Sequence, residues 1–135
     1  MKIFIAGSMH FAKRLLETKK QLESMGYDTD IAADTEMCVG DPTLNENATH
    51  CFEMDIMRDC MNGQEKCDAI LVVNPPKHGV DGYIGAHTLI EMGLAYYLKQ
   101  KIYLLWPFAD KDRREFIEIE HMKPIVINNN LEKIK

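Results

Sequence analysis

The chain has 135 residues, 46% of them hydrophobic and 27% charged, and its formal net charge is −5. This length fits one domain, residues 1–135, and allows a full hydrophobic core without covalent cross-links. The negative charge argues against a nucleic acid polymer or an anionic membrane as the main partner. No apolar run approaches the roughly 20 residues that a membrane-spanning helix needs.

The cysteines indicate reduced thiols rather than a metal site. The chain has four, and none stands in the Cys-x-x-Cys spacing typical of zinc sites. The apolar start of the chain, residues 1–7, is too short for a secretion signal. We therefore expect a cytoplasmic protein with reduced cysteines, no metal and no cofactor.

Five short apolar runs predict the strands of an α/β fold. They cover residues 2–6, 27–33, 69–73, 102–106 and 124–127. Apolar residues at helical spacing predict four helices. The first begins after residue 8, the second covers about residues 47–61, the third ends at residue 98, and the fourth ends near residue 122. The stretches 34–49 and 109–115 are rich in charged residues and are expected to be loops.

Strands that alternate with helices form parallel pairs joined by right-handed crossovers. The sequence therefore predicts an open five-stranded parallel sheet in the order 2-1-3-4-5, with helices on both faces. In such sheets ligands bind at the carboxyl ends of the strands, where the strand order reverses. That point lies between the first and third strands, so the loops at 7–8 and 74–85 should share one crevice.

The loop Gly7-Ser8-Met9 follows a strand and precedes a helix. Such a junction is a ready anion site, because the first backbone amides of a helix have no intrahelical partner and carry partial positive charge. A serine here is equally typical of a simple helix N-cap. The loop lacks the lysine of a P-loop and the third glycine of a dinucleotide fingerprint, so both interpretations stay open.

The stretch from Asp81 to Leu98 carries the strongest functional signal. A glycine-spaced loop leads into an apolar helix, in which Glu91 is the only acid after Asp81. A buried, ionised carboxylate without a partner costs several kcal/mol. Glu91 must therefore be paired structurally, be protonated, or face a cleft. We favour a reactive carboxylate at the wall of a pocket.

Three segments carry a resemblance to a known family. They are Ile5-Ala6-Gly7-Ser8, Cys67-Asp68-Ala69-Ile70-Leu71-Val72-Val73 and Thr88-Leu89-Ile90-Glu91-Met92-Gly93-Leu94-Ala95. The chain resembles, in outline over most of its length, the nucleoside 2-deoxyribosyltransferase family and its relatives that hydrolyse deoxynucleoside 5′-monophosphates. The third segment matches that family's Gly-Thr-x-x-Glu-x-Gly-x-Ala run, with His87 in place of the first glycine. The resemblance implies one Rossmann-like, flavodoxin-like domain.

The resemblance also implies cleavage or transfer of the N-glycosidic bond of 2′-deoxynucleosides or their 5′-monophosphates, with Glu91 as nucleophile. A carboxylate placed below C1′ can stabilise an oxocarbenium-like centre and form a covalent glycosyl ester. A second acid would protonate the departing base, and Asp68 and Asp81 are the candidates. The residues expected to bind the substrate are Gly7, Ser8, Met9, Asn74, Gly82, Tyr83, Gly85 and Thr88.

Partners follow from the same resemblance. We expect a small-molecule nucleoside or nucleotide, and a homodimer or higher homo-oligomer in which a neighbour's C-terminal segment, near residues 128–130, completes the pocket. The nucleotide-hydrolysing relatives tend to have an arginine after Gly-Ser. This chain has Met9-His10 there, and the nearest basic residues are Lys13 and Arg14.

Two other functions fit the same crevice. A non-catalytic nucleotide-binding module would bind its ligand without turnover. An N-glycohydrolase acting on NAD or another ribonucleotide would use a similar glutamate. A comparison of ribo- and 2′-deoxyribo-substrates separates this last function from the first.

Overall fold

Five parallel strands form one sheet in the order β2-β1-β3-β4-β5, as predicted. The structure is a computed structural model that describes residues 1–109, 112 and 116–135. The strands are β1 (Lys2–Ala6), β2 (Asp28–Ile31), β3 (Ala69–Val72), β4 (Lys101–Leu104) and β5 (Ile125–Val126).

Helices connect the strands. They are α1 (Ala12–Ser24), α2 (Thr35–Gly40), α3 (Ala48–Glu53), α4 (Ile56–Glu65), α5 (Ala86–Tyr97) and α6 (Phe116–His121). Short 3₁₀ turns add Met9–Phe11, Leu44–Glu46 and Leu131–Lys133. In the described part of the chain, no helix has both the length and the apolar content to cross a membrane.

Both faces of the sheet are buried, which explains why the strands read as continuous apolar runs. Successive side chains of a strand point to opposite faces. Ile3 and Ile5 of β1 pack on one face with Leu15 and Leu22 of α1. Phe4 and Ala6 pack on the other face, together with residues of α4 and α5. The predicted arrangement with helices on both faces is confirmed.

The stretch 34–49 differs from the predicted loop, because it contains α2 and the 3₁₀ turn Leu44–Glu46. Helix α2 packs against α1, and Thr35 and Cys38 are its buried residues. Tertiary packing thus stabilises a six-residue helix that is too short to show a periodic sequence pattern. The helix ends at Gly40, just before Asp41 and Pro42.

The single helix predicted for 47–61 is two helices. The break falls at Asp55, whose φ of 44° is left-handed, between α3 and α4. Helix α4 also continues past the expected stop at 62–63 as far as Glu65. Its penultimate residue, Gln64, is fully buried and binds the backbone of α5, which holds the extra turn. Of the loop predicted for 109–115, only Ala109 and Asp112 lie among the described residues.

Candidate functional site

A cavity of about 230 Å³ opens at the carboxyl ends of β1 and β2 and at the amino end of α5. Its lining comes from the two loops predicted to share one crevice, at residues 7–8 and 74–85, and also from the region of helices α2 to α4. The lining residues are Gly7, Ser8, Met9, Ala32, Asp34, Asn45, Cys51, Ile56, Cys60, Lys77, Tyr83, Gly85, Ala86, His87, Thr88 and Glu91. Seven of the predicted site residues are among them: Gly7, Ser8, Met9, Tyr83, Gly85, Thr88 and Glu91.

Gly7 lets the loop after β1 approach the end of β3. A Cβ atom at this position would lie 2.6 Å from the carbonyl oxygen of Val73, a distance that only glycine tolerates. Ser8 then begins the 3₁₀ turn, and its hydroxyl accepts a hydrogen bond from the His10 amide at 3.4 Å. The predicted capping role of Ser8 is therefore present, and it does not keep Ser8 out of the cavity.

Glu91 lies in the second turn of helix α5 with its side chain in the cavity wall. The residue is 6% exposed, and its carboxylate accepts no well-aligned hydrogen bond from the described residues. Its backbone carbonyl accepts a hydrogen bond from Gln64 Nε2 at 2.7 Å, which ties α5 to α4 at this position. Burial raises the pKa of the Glu91 carboxyl to about 8 because desolvation disfavours the charged form.

His87 precedes Glu91 by one helical turn and faces the same cavity. Its Nε2 lies 3.3 Å from Glu91 Oε1, although Nε2 is buried and makes no well-aligned hydrogen bond with the described residues. Burial lowers the pKa of His87, and the Asp34 carboxylate opposes that shift. The two side chains are close enough to share a proton after a small rotation of either one.

Lys77 brings a positive charge to the mouth of the cavity. Its Nζ donates a hydrogen bond to Ser8 Oγ at 3.0 Å and lies 5.3 Å from the centroid of the Tyr83 ring, a cation–π distance. It forms no ion pair with a carboxylate of the described residues. Burial lowers the pKa of Lys77, and the negative charge of Glu46 opposes that shift.

Asp34, three residues beyond β2, is a second carboxylate in the cavity wall. It is 1% exposed. His50 Nε2 lies 2.9 Å from its Oδ2, and the Cys38 thiol lies 3.8 Å from the same oxygen. The other oxygen, Oδ1, is buried and has no hydrogen-bond partner among the described residues.

Two of the three predicted catalytic carboxylates are not at the cavity. Asp68 stands at the amino end of β3, at the opposite edge of the sheet, where its Oδ2 accepts a hydrogen bond from the Lys2 amide at 2.7 Å. The parallel direction of the strands thus places Asp68 at the end of the sheet away from Glu91. Asp81 is exposed and lines a different groove, together with Pro107 and Trp106, rather than the cavity that contains Glu91.

Two predicted substrate-binding residues, Asn74 and Gly82, have structural roles. The buried Asn74 amide donates to the carbonyl oxygens of Gly82 and Trp106 and accepts from the Trp106 amide. Gly82 has a φ of +66°, and a Cβ atom there would lie 1.9 Å from the Pro107 carbonyl oxygen. These two residues fix the loop that carries Lys77 and Tyr83 instead of lining the cavity.

Sequence reasoning missed Asp34, Lys77 and His87 as cavity residues. Asp34 lay in a stretch predicted to be a loop, and Lys77 lay between prolines and glycines without a periodic pattern. His87 was the detectable one, since it is four residues before Glu91 and shares its helix face. All four cysteines are free thiols. No group of three potential metal ligands comes together among the described residues.

No protein-family model and no curated protein matches this sequence. Among solved structures, the CMP N-glycosidase BcmB of Clostridium botulinum is similar, with a TM-score of 0.51. The match covers 93% of this chain and 85% of that one, at 19% sequence identity. At this identity the comparison shows a shared fold, in agreement with the sheet described above.

Proposed function

We propose that this protein cleaves the N-glycosidic bond of nucleoside 5′-monophosphates, with Glu91 as the nucleophile. The observation that carries the proposal is the buried Glu91 carboxylate in the cavity wall, with His87 Nε2 3.3 Å away. The fold shared with a CMP N-glycosidase supports this reaction class. The resemblance in the Thr88–Ala95 segment supports the choice of glutamate.

The proposed reaction has two displacements at C1′. In the first, a Glu91 oxygen bonds to C1′ as the C1′–N bond to the base breaks, and the base receives a proton. In the second, water or another base attacks C1′ and releases Glu91. Attack by water gives hydrolysis, and attack by another base gives transfer of the sugar.

His87 supplies and recovers the proton in this scheme. Burial raises the pKa of Glu91 to about 8 and lowers that of His87, so near neutral pH the free site holds one proton on Glu91. Transfer of that proton to His87 produces both an ionised nucleophile and an imidazolium. The imidazolium protonates the departing base, and the neutral imidazole then accepts a proton from the attacking water. His87 thus takes the acid role that was expected of Asp68 or Asp81.

Lys77 and Ser8 support a 5′-phosphate on the substrate. The Lys77 ammonium has further donors beside the one on Ser8, and no carboxylate of the described residues pairs with it. Helix α5 begins nearby at Gly85, without a side-chain cap, so its first amides add partial positive charge to the same end of the cavity. Lys77 thus takes the place of the arginine that the sequence lacks after Ser8.

The sugar of the substrate is either deoxyribose, which the family resemblance implies, or ribose, which is the sugar of the CMP named for the structural neighbour. The experiment is chromatography of deoxynucleosides, nucleosides, their 5′-monophosphates and NAD after incubation with the protein, with and without a free base. Release of base from a monophosphate supports the proposal, and the comparison of ribose with deoxyribose selects the sugar. Binding without release from any compound would instead support the non-catalytic module.

We further propose that the chain acts as one transferase-like domain that forms a homo-oligomer. The segment expected to reach a neighbour is held within its own chain at one point, since Arg14 Nη2 donates to Asn129 Oδ1 at 2.8 Å. Sedimentation equilibrium tests this proposal. A monomer at micromolar concentration would contradict the homo-oligomer.

A further inference from the structure

One carboxylate oxygen of Asp34, Oδ1, is buried without a hydrogen-bond partner among the described residues. The carboxylate is buried, its Oδ2 is held by His50 Nε2 at 2.9 Å, and its Oδ1 has no hydrogen-bond partner among the described residues. A buried polar atom left unpaired is destabilising, and more so when it is charged. Asp34 is nevertheless one of the residues that line the Glu91 cavity, so a hydroxyl group bound there would supply the missing hydrogen-bond donor.

The anchoring of Asp34 shows a built site. His50 belongs to helix α3, whose first turn is fixed by Asn47, because Asn47 Oδ1 accepts a hydrogen bond from the His50 amide at 3.1 Å. The side chains of His50 and Asp34 are only 11% and 2% exposed. With Oδ2 occupied by His50, the orientation of the carboxylate is set, and Oδ1 is the acceptor that remains.

Asp34 lines the same cavity as Glu91 and His87. Its charge acts on His87, the neighbour of Glu91, by opposing the shift that burial causes in the His87 pKa. Burial raises the pKa of the Cys60 thiol, and the carboxylates of Glu91, Asp59 and Asp34 add to that shift. Because Asp34 and Glu91 line the same cavity of about 230 Å³, a sugar bound there with C1′ against Glu91 has Asp34 among the side chains around it.

We infer that Asp34 Oδ1 accepts a hydrogen bond from a hydroxyl group on the 2′,3′ edge of the substrate sugar, and that His50 positions the carboxylate for it. This inference rests on the proposed function, since it takes Glu91 as the place where C1′ binds. It narrows the substrate to nucleotides whose sugar carries a free hydroxyl on that edge. It also makes Asp34 a specificity-determining residue that neither the sequence motifs nor the family resemblance indicated.

The test measures binding without turnover, in protein carrying Glu91→Gln. Isothermal titration compares CMP with 2′,3′-dideoxy-CMP, and AMP with 2′,3′-dideoxy-AMP, in the presence and absence of Asp34→Asn. Asparagine keeps an acceptor for His50 but turns an amide donor toward the cavity. Asp41→Asn is the matched control, because Asp41 is exposed and bonds to Thr43 outside the cavity.

We expect the hydroxylated nucleotide to bind about tenfold or more tightly than its dideoxy form. Asp34→Asn should bring the two affinities to within about threefold, and Asp41→Asn should leave the preference unchanged. His50→Ala provides a second test, because it removes the hydrogen bond that orients Asp34 and keeps the Asp34 carboxylate. It should partly reduce the preference for the hydroxylated over the dideoxy nucleotide.

A preference that survives both Asp34→Asn and His50→Ala would overturn the inference. So would an equal loss of affinity for the hydroxylated and the dideoxy nucleotides, because the contact would then lie on the base or the phosphate. Either result leaves the proposed function standing. If the Glu91→Gln protein without further substitutions binds none of the four nucleotides, the result contradicts the proposed function itself, together with this inference.

Discussion

Glu91 Oε1 and His87 Nε2 lie 3.3 Å apart, one turn from each other on the same face of helix α5. Burial shifts the two pKa values in opposite directions, upward for the carboxyl group and downward for the imidazole. Each shift favours the neutral form of its group, so the pair carries one proton near neutral pH. The wall of the same cavity also contains Asp34 and the hydrogen-bonded Lys77 and Ser8.

The first prediction concerns the pH dependence of stability. The folded protein holds a proton on Glu91 up to a pKa of about 8, compared with the ordinary value of 4.5, so the folded state binds more protons than the unfolded state between these values. The free energy of unfolding should therefore fall as pH rises from about 4.5 to 8, and then level off. Glu91→Gln removes this contribution and should become the more stable protein at higher pH, by up to about 5 kcal/mol.

Urea unfolding of the parent and Glu91→Gln proteins at several pH values measures this difference. Subtraction of the two curves removes the other titrating groups, which both proteins share. A difference in stability that stays constant from about pH 5 to about pH 9 would contradict the burial of a protonated Glu91.

The second prediction concerns His87 as proton carrier. His87→Gln keeps a polar side chain of similar length but cannot hold a transferable proton, so kcat should fall by about a hundredfold. The pH profile of kcat/KM should change shape as well, because one member of the titrating pair is gone. His121→Gln is the matched control, since His121 contacts Tyr96 outside the cavity. Equal kcat values for the parent and His87→Gln across the pH range would remove His87 from the mechanism.

The third prediction concerns the phosphate. Lys77→Met keeps most of the length of the side chain and removes its charge, so KM for a nucleoside 5′-monophosphate should rise about tenfold or more. Hydrolysis of the corresponding nucleoside, which has no phosphate, should change little. Lys66→Met, at the exposed end of α4, controls for the loss of one positive charge. A similar change in KM for nucleoside and nucleotide would place Lys77 outside the phosphate site.

The fourth prediction concerns the stability cost of replacing two glycines in the loop after β3. Gly82 and Gly79 both have left-handed φ angles, +66° and +71°, but a Cβ atom at Gly79 would meet nothing within 4 Å. Gly79→Ala should therefore cost only the backbone strain, about 1 kcal/mol. Gly82→Ala adds a clash with the Pro107 carbonyl and should cost at least about 3 kcal/mol. Thermal unfolding measures both, and equal losses would contradict the close approach at Gly82.

The sequence predicted the framework well because continuous apolar strands and glycine or proline stops leave few alternatives. The strand order, the meeting of the loops at Ser8 and Tyr83, and the position of Glu91 in their crevice all followed from those signals. Glu91 stood out because a single acid in an apolar helix demands an explanation. The prediction for Asp68 relied on motif position, and the direction of its strand places it at the amino ends of the strands, away from Glu91.

Three cavity residues depend on tertiary packing that the sequence does not display. Asp34 is buried just before helix α2, and helix α3 brings His50 to its carboxylate. Lys77 reaches Ser8 across 69 residues of sequence from a loop without periodicity. His87 is on a predictable helix face, but the burial of its Nε2 atom beside Glu91 follows from how α5 packs on the sheet.

The most direct test of the central claim compares base release by the parent protein and Glu91→Gln on the nucleotide that the parent cleaves fastest. Because the amide of a glutamine side chain is a poor nucleophile, kcat should fall by at least about a thousandfold, with the fold intact by circular dichroism. Glu65→Gln, at the far end of α4, should keep the parent rate. A Glu91→Gln protein that releases base at the parent rate would contradict the claim that Glu91 attacks the sugar.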